Sequence, residues 1–185
     1  MNNELLSSWR KSLAELSGRG NFKVEIIKNP SMGHGLDYYT FALVDSYKNR
    51  EITIKQLVKV GGGRIFYSFL ILESAFESSH HYKLSVWQKS PFDFLLPIKR
   101  VKSGNIDFDK IFSISSIPDS FGATVFNDVK IRNLLIENKF IVLNISSSKS
   151  RIALVKLKSM ETKLYPTAEI LKLLEIFKVI LSKME

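Results

Sequence analysis

The chain has 185 residues, of which 45% are hydrophobic and 24% charged, and its mean hydropathy is +0.02. This composition is typical of a globular protein with one well-buried core, and it excludes a disordered or fibrous chain. The chain contains no cysteine, which excludes disulfide scaffolds, thiolate zinc sites, iron–sulfur clusters and cysteine nucleophiles. Only three histidines are present, so we do not expect an imidazole-rich metal site.

The formal net charge is +9, and this sign permits binding to nucleic acid or to an anionic membrane. The basic residues are spread along the chain with a mild excess towards the C-terminus, and there is no arginine-rich arm. Residues 1–10 lack the apolar segment of a secretion signal. Charged residues interrupt the most apolar stretch, 168–184. We therefore expect no transmembrane segment and a cytoplasmic location.

The first half of the chain is predicted to be mainly β. Apolar residues three and four apart predict an N-terminal helix over residues 4–16. A polar turn is predicted at 45–50, and the glycine- and proline-containing segment 29–35 is predicted to be a loop. Segment 65–73 is apolar on both faces, which predicts a central strand covered on two sides. The strands predicted in this half are 22–26, 38–44, 51–60, 65–73 and 82–87.

Helical spacing returns after residue 117. The sequence Pro118-Asp119-Ser120 predicts a helix start, and Asp128 is predicted to begin a second, shorter helix. Segments 140–145 and 152–157 predict a β-hairpin. Pro166 is predicted to open a final helix with a wide apolar stripe.

This order of elements predicts an α+β fold. We expect a mainly antiparallel sheet of about seven or eight strands, with an N-terminal helix, a middle helix and a long C-terminal helix packed on it. Residues 1–185 are predicted to form one domain, and a division into two lobes near residues 91–97 is the alternative.

The sequence contains no complete catalytic or cofactor motif. Gly61-Gly62-Gly63 leads into a strand and lacks the Lys-Ser/Thr of a phosphate-binding loop, so it is interpreted as a hairpin turn. His80 and His81 are adjacent and would point to opposite faces of a strand, which does not favour shared metal binding. No serine lies in a nucleophile elbow. We predict no catalytic residue, no metal site and no cofactor.

Asp107-Phe108-Asp109 places two carboxylates two residues apart, as a cation site or an acid–base pair could require. A structural role is favoured, because Asp107 follows a Gly-Asn turn and could cap the next turn of helix. Phe108 and Phe112 are four residues apart, and we expect both to insert into the core.

The predicted C-terminal hairpin carries most of the candidate nucleic-acid contacts. In that interpretation Lys156 and Lys158 share the exposed face of their strand, while Ala153, Val155 and Leu157 point inward. The competing interpretation is an edge strand whose lysines prevent aggregation. The candidate nucleic-acid-binding residues are Lys149, Arg151, Lys156, Lys158 and Lys163.

Three segments, 47–54, 103–114 and 129–135, together resemble a widespread prokaryotic domain of unknown function with a Gly-Asp-x-x-Phe-Asp-x-x-Phe signature. The match runs from Gly104 to Phe112, with Asn105 in place of the usual Asp. In the first segment Asn49 stands where glycine is common. The resemblance implies no activity or cofactor, and it implies that the aromatic and acidic residues of the signature mark the fold. Members of this type often resemble soluble parts of proteins that also carry membrane segments.

These observations lead to three hypotheses about function. The first is a non-enzymatic module that binds a protein partner or an anionic membrane surface. The second is weak, salt-dependent binding of nucleic acid by the basic hairpin. The third is a hydrolase or small-ligand-binding protein that the sequence does not reveal, with a pocket between the sheet and the helices.

Overall fold

A computed structural model describes residues 11, 14–16, 23–29, 36–61, 64–95, 97–137, 141–147, 152–159 and 165–184. Within the predicted N-terminal helix, residues 14–16 are helical and Leu16 is fully buried in the core. Most of that helix and most of the predicted loop at 29–35 lie outside the described residues.

In the described part of the chain, eight strands form one antiparallel sheet. Their order across the sheet is β1-β2-β3-β4-β8-β7-β5-β6. With its helices, this sheet confirms the predicted α+β fold. The strands are β1 (Lys23–Asn29), β2 (Leu36–Tyr47), β3 (Arg50–Gly61), β4 (Arg64–Glu77), β5 (Lys83–Gln88), β6 (Phe112–Ile117), β7 (Ile141–Ser147) and β8 (Ile152–Ser159).

Four helices with described bounds accompany the sheet. They are α1 (Ile106–Ile111), α2 (Asp119–Phe126), α3 (Val129–Glu137) and α4 (Thr167–Ser182). The predicted helix starts near residues 118, 128 and 166 are therefore confirmed. The buried residues of these helices form one cluster with alternate residues of the strands, such as Leu72, Val86 and Val155. The helices consequently cover one face of the sheet, because alternate residues of a strand share a face.

The turn between β2 and β3 is shorter than the predicted turn at 45–50. The strands run up to Tyr47 and Arg50, which pair with each other, so only Lys48 and Asn49 form the turn. Their φ angles of +48° and +62° are those of a type I′ turn, whose twist matches that of the flanking strands. The predicted hairpin at Gly61-Gly62-Gly63 agrees with the pairing of Gly61 with Arg64, although Gly62 and Gly63 lie outside the described residues.

Strand β4 is central, between β3 and β8, as its apolar sequence predicts. The expectation that β4 is covered on both sides was only partly right. Leu70 and Leu72 on the helix-covered face are fully buried, and Ile71 on the other face is also buried. Ala75, which follows the predicted segment on that other face, is exposed. Phe69, also on that face, is sheltered by the Lys158 ammonium, 4.2 Å from its ring centroid. A long lysine side chain thus covers part of the apolar surface that a second layer was expected to cover.

Two sequence interpretations were wrong. Strand β8 is not an edge strand, because it pairs with β4 on one side and β7 on the other. The sequence did not predict the pairing with β4 because the two strands are far apart in the chain. Asp107 does not cap the α1 turn, because the Asn105 side chain accepts the Phe108 N–H at 2.9 Å while Asp107 is exposed and bonded to Lys110.

The terminal helix is held to the β2–β3 hairpin by ionic and main-chain contacts. Lys178 lies 3.1 Å from the buried Asp45 carboxylate and 3.2 Å from that of Glu175. Burial would lower the pKa of Lys178, but its hydrogen bonds to these two carboxylates raise the pKa above 10.5. Arg50 donates to the Leu181 carbonyl at 2.9 Å. Together these contacts fix the end of α4 over the hairpin.

Gly122 in α2 is packed directly against β6. A Cβ added at Gly122 would lie 2.8 Å from Ser116 Cβ, and the Gly122 N–H donates to Ser116 Oγ at 2.9 Å. Alanine normally stabilises a helix interior by about 1 kcal/mol relative to glycine, but overpacking costs about 1–3 kcal/mol. We therefore expect Gly122→Ala to lower the free energy of unfolding, as measured by urea denaturation.

The double variant Gly122→Ala/Ser116→Gly separates steric conflict from other effects of the new methyl group. In a Ser116→Gly background, which lacks the serine Cβ, Gly122→Ala should lower the free energy of unfolding by less than it does in the parent, because the two positions are in contact. A Gly122→Ala protein that is as stable as the parent would contradict the close packing of α2 on β6.

Candidate functional site

Residues 89–102 lie between β5 and α1, and all of them except residue 96 are described; they run along the β5–β6 edge of the sheet, and we call this segment the 89–102 loop. At its start the Lys89 N–H donates to the Ile111 carbonyl at 2.8 Å, and at its end the Val101 N–H donates to the Ile114 carbonyl at 2.9 Å. Between these points, residues Asp93–Leu95 form one turn of 3-10 helix. The loop therefore leaves the sheet at the end of β5 and returns to it beside β6.

The buried Asp93 carboxylate anchors the loop to the sheet. Its Oδ2 accepts hydrogen bonds from Trp87 Nε1 at 3.0 Å and from Ser113 Oγ at 2.9 Å. Trp87 and Ser113 pair across β5 and β6, on the sheet face opposite the helices. Burial would raise the pKa of Asp93, but these two hydrogen bonds, a main-chain bond from Ser90 and the charge of Arg100 lower it below its usual value of 3.8. The carboxylate is therefore ionised at neutral pH.

The anchored turn presents large apolar side chains to solvent. Phe92 is 69% exposed, Leu95 65% and Ile98 42%. Single exposed apolar residues are common on protein surfaces, but here three of them lie within seven residues of one loop. Because Asp93 fixes the turn between them, Phe92 and Leu95 are exposed by the geometry of the loop.

The same loop is strongly basic. Residues 89–102 contain four basic residues and one acidic residue, the buried Asp93. Lys89 donates to the Asp109 carbonyl, and Arg100 donates to the Asp93 carbonyl. Lys99 lies 2.5 Å from the exposed Asp119 carboxylate. Lys89, Arg100 and Lys102 form no ion pair among the residues that the structure describes. The exposed apolar side chains are thus flanked by more cations than anions, although Lys99 is paired with Asp119 and the charge of Arg100 acts on Asp93.

The predicted basic hairpin is only partly described. Lys149, Arg151 and Lys163 lie outside the described residues. Lys156 and Lys158 share the sheet face opposite the helices, as predicted, while Ala153, Val155 and Leu157 are fully buried.

Both described lysines of the hairpin are engaged with β4. Lys156 lies 3.8 Å from a Glu73 carboxylate oxygen, and Lys55 is bonded to the other oxygen of that carboxylate. Lys158 lies over the Phe69 ring. This part of the surface is therefore a network of mixed charge, and a polyanion would have to compete with Glu73 for it.

The remaining candidate polar residues are in structural positions. Asp109 Oδ1 accepts the Ser103 N–H at 2.9 Å, which supports the favoured structural role. Phe108 and Phe112 are buried and stacked, with ring centroids 4.8 Å apart, as predicted. His81 Nδ1 lies 3.1 Å from Ser147 Oγ. Over the described ranges, no group of three or more acidic or histidine side chains is arranged to hold a metal ion.

Within those same ranges, none of the helices has both the length and the apolar character needed to cross a membrane.

The chain matches no protein-family model, no curated protein and no solved structure. The resemblance to a prokaryotic domain with the Gly-Asp-x-x-Phe-Asp-x-x-Phe signature therefore stays a prediction. The structure itself defines the class: an α+β domain whose antiparallel sheet carries helices on one face and a basic, apolar loop at one edge.

Sequence reasoning considered residues 91–97 only as a possible domain boundary and missed the loop as a site. The signal was available, because an apolar segment with two prolines lies between Lys89 and the pair Lys99-Arg100. What the sequence does not reveal is that Phe92 and Leu95 face solvent, since most apolar residues in the described part of the chain are buried.

Proposed function

We propose that this protein is a non-enzymatic module that binds anionic membrane surfaces through the 89–102 loop. The observation that carries the proposal is the exposure of Phe92 and Leu95, at 69% and 65%, on an anchored turn flanked by Lys89, Lys99 and Arg100. Apolar side chains insert at the boundary between headgroups and acyl chains, and cations are attracted to anionic lipids. The loop combines both features in one short segment.

The expected affinity is modest and reversible. Each basic residue near an anionic bilayer contributes about 1 kcal/mol, and full burial of a Phe or Leu side chain contributes roughly 1.5–3 kcal/mol. Partial insertion of two such side chains, with four cations, gives roughly 6 kcal/mol, which corresponds to a dissociation constant between millimolar and micromolar. Binding of this strength needs both contributions.

The test is co-sedimentation with vesicles of phosphatidylcholine alone and of phosphatidylcholine mixed with phosphatidylserine. We expect the protein to bind the mixed vesicles and to release from them as salt increases, because the attraction between exposed charges is screened. Replacing both Phe92 and Leu95 with serine should weaken binding by at least about tenfold. Both side chains are exposed, so the double variant should retain the parent stability.

Val129→Ser is the matched control, since Val129 is also a large apolar residue and is 55% exposed, at the start of α3. It should bind vesicles as the parent does. Failure of the parent protein to bind the mixed vesicles would overturn the proposal. Salt-dependent binding that persists in the Phe92→Ser/Leu95→Ser variant would also overturn it. If Lys156→Glu/Lys158→Glu then abolished binding to duplex DNA, nucleic-acid binding would replace it.

A further inference from the structure

A narrow, open cleft lies where the 89–102 loop returns to β6. Its inner part is about 20 Å³, enough for one water-sized group such as a single phosphate oxygen. The floor of the cleft is formed by buried residues of β6, and its mouth by basic residues of the loop. Its lining includes Lys89, Arg100, Lys102, Asp109 and Ser113.

Three basic residues line this cleft, and none of them forms an ion pair with a described carboxylate, although the charge of Arg100 acts on Asp93. Lys89 and Arg100 donate to main-chain carbonyls, which carry no full charge. For the Lys102 side chain, the described residues provide neither an ion pair nor a hydrogen bond. Two acidic residues lie close to these three cations: Asp93 accepts from Trp87 and Ser113, and Asp109 accepts the Ser103 N–H. The basic residues therefore outnumber the acidic ones by one.

We infer that the cleft binds a terminal phosphate group, that of a phosphomonoester lipid headgroup in the setting of the proposed function. One phosphate oxygen would enter the inner part, and the other oxygens would remain at the mouth with Lys89, Arg100 and Lys102. A terminal phosphate fits better than a carboxylate, because it has three oxygens and up to two negative charges for three donors. Arg100 supplies a planar donor group suited to this geometry.

The inference rests on the proposed function only for the source of the phosphate, so inorganic phosphate tests the cleft by itself. In a titration followed by amide chemical shifts, we expect saturable changes at residues 100–102 and 109–114. Sodium chloride at the same ionic strength should not produce them. Lys102→Ala should weaken phosphate binding by about fivefold, the effect of one solvent-facing charge contact.

Lys99→Ala is the matched control for this titration, because it removes the same charge from the same loop at a residue outside the cleft. It should leave phosphate binding within about twofold of the parent. Equal weakening by the two variants, or shifts that never saturate, would show that phosphate is attracted only by general positive charge, and would overturn the cleft site.

Vesicles with equal surface charge but different headgroups distinguish the lipid source from free phosphate. We expect about fivefold tighter binding to phosphatidate, which carries a phosphomonoester, than to phosphatidylserine, which does not. Lys102→Ala should bring this ratio close to one. The Phe92→Ser/Leu95→Ser variant should weaken binding to both vesicles and keep the ratio.

These outcomes separate the two proposals. Equal binding of the parent to both kinds of vesicle, with no saturable phosphate titration, would overturn the cleft inference and leave the membrane proposal standing. Saturable phosphate binding that depends on Lys102, in a protein that binds neither kind of vesicle, would support the cleft, assign it to a soluble phosphate compound and overturn the membrane proposal.

Discussion

Replacing Phe108 with alanine is expected to lower the free energy of unfolding by about 3–5 kcal/mol. Phe108 is fully buried in α1, and its ring centroid lies 4.8 Å from that of Phe112 and 5.1 Å from that of Phe126. The substitution removes the middle ring of this stack and leaves a cavity between α1, β6 and α2. Each stacked pair contributes about 0.5–1.5 kcal/mol beyond the area it buries, so we expect the loss to lie towards the upper end.

Urea denaturation followed by circular dichroism would measure this loss. Phe92→Ala is the matched control, because it removes the same side chain from an exposed position and should change stability by no more than about 0.5 kcal/mol. A loss below about 1 kcal/mol for Phe108→Ala would mean that the three rings do not form the centre of the core. The sequence predicts a loss of the same size, about 3–5 kcal/mol, for Phe112→Ala.

Replacing Asp93 with alanine is expected to cost about 3 kcal/mol, because the buried Ser113 hydroxyl and the half-buried Trp87 N–H lose their shared acceptor. Trp87 Nε1 and Ser113 Oγ would be left without Oδ2. The same substitution frees the turn that presents Phe92 and Leu95. We therefore expect weaker vesicle binding as well, although Asp93 is a buried anion that would itself repel the lipid.

Asp93→Asn separates the hydrogen bonds from the charge. The amide oxygen can still accept from both donors, so the loss of stability should be smaller, about 1–2 kcal/mol. Vesicle affinity should stay close to that of the parent if the turn keeps its position. Equal losses for the alanine and asparagine variants would contradict the role of the hydrogen bonds in holding the loop.

The pH dependence of Asp93 follows from the direction of its pKa shift. Its pKa in the folded protein is below the usual value of 3.8, so its contribution to stability is fully present above about pH 3.8 and is lost as the pH falls through the folded pKa. Between pH 5 and pH 8 the difference in stability between the parent and Asp93→Asn should be constant. A difference that changes within this range would show that another group controls the anchor.

Local patterns predicted most of the elements. Alternation in 82–87 and helical spacing after Pro166 identified β5 and α4, because the period of apolar residues shows which face is buried. The helix starts at Pro118 and Pro166 were also predictable, because the residues that signal a helix start are adjacent in the sequence. Element ends were less accurate, as the two-residue turn at Lys48 and Asn49 shows.

Strand pairing was not predictable in the same way. The position of β8 between β4 and β7 joins segments about eighty residues apart in the chain, and no local pattern reports such a pairing. Lys156 and Lys158 therefore seemed to lie on an edge, although they are central and engaged with Glu73 and Phe69. The cap at Asn105 was missed because three side chains that could cap the helix, Asn105, Asp107 and Asp109, lie within five residues.

The candidate site shows the same division between local and long-range information. The sequence alone determines that residues 89–102 are basic and apolar and that the chain lacks thiol chemistry. It also determines where most of the strands and helices lie along the chain. Only the tertiary structure decided that Asp93 bonds to neighbouring strands, that Phe92 and Leu95 consequently face solvent, and that Lys89, Arg100 and Lys102 meet at one cleft. The reason is that exposure and convergence depend on contacts between distant segments, whereas composition and periodicity are properties of each segment by itself.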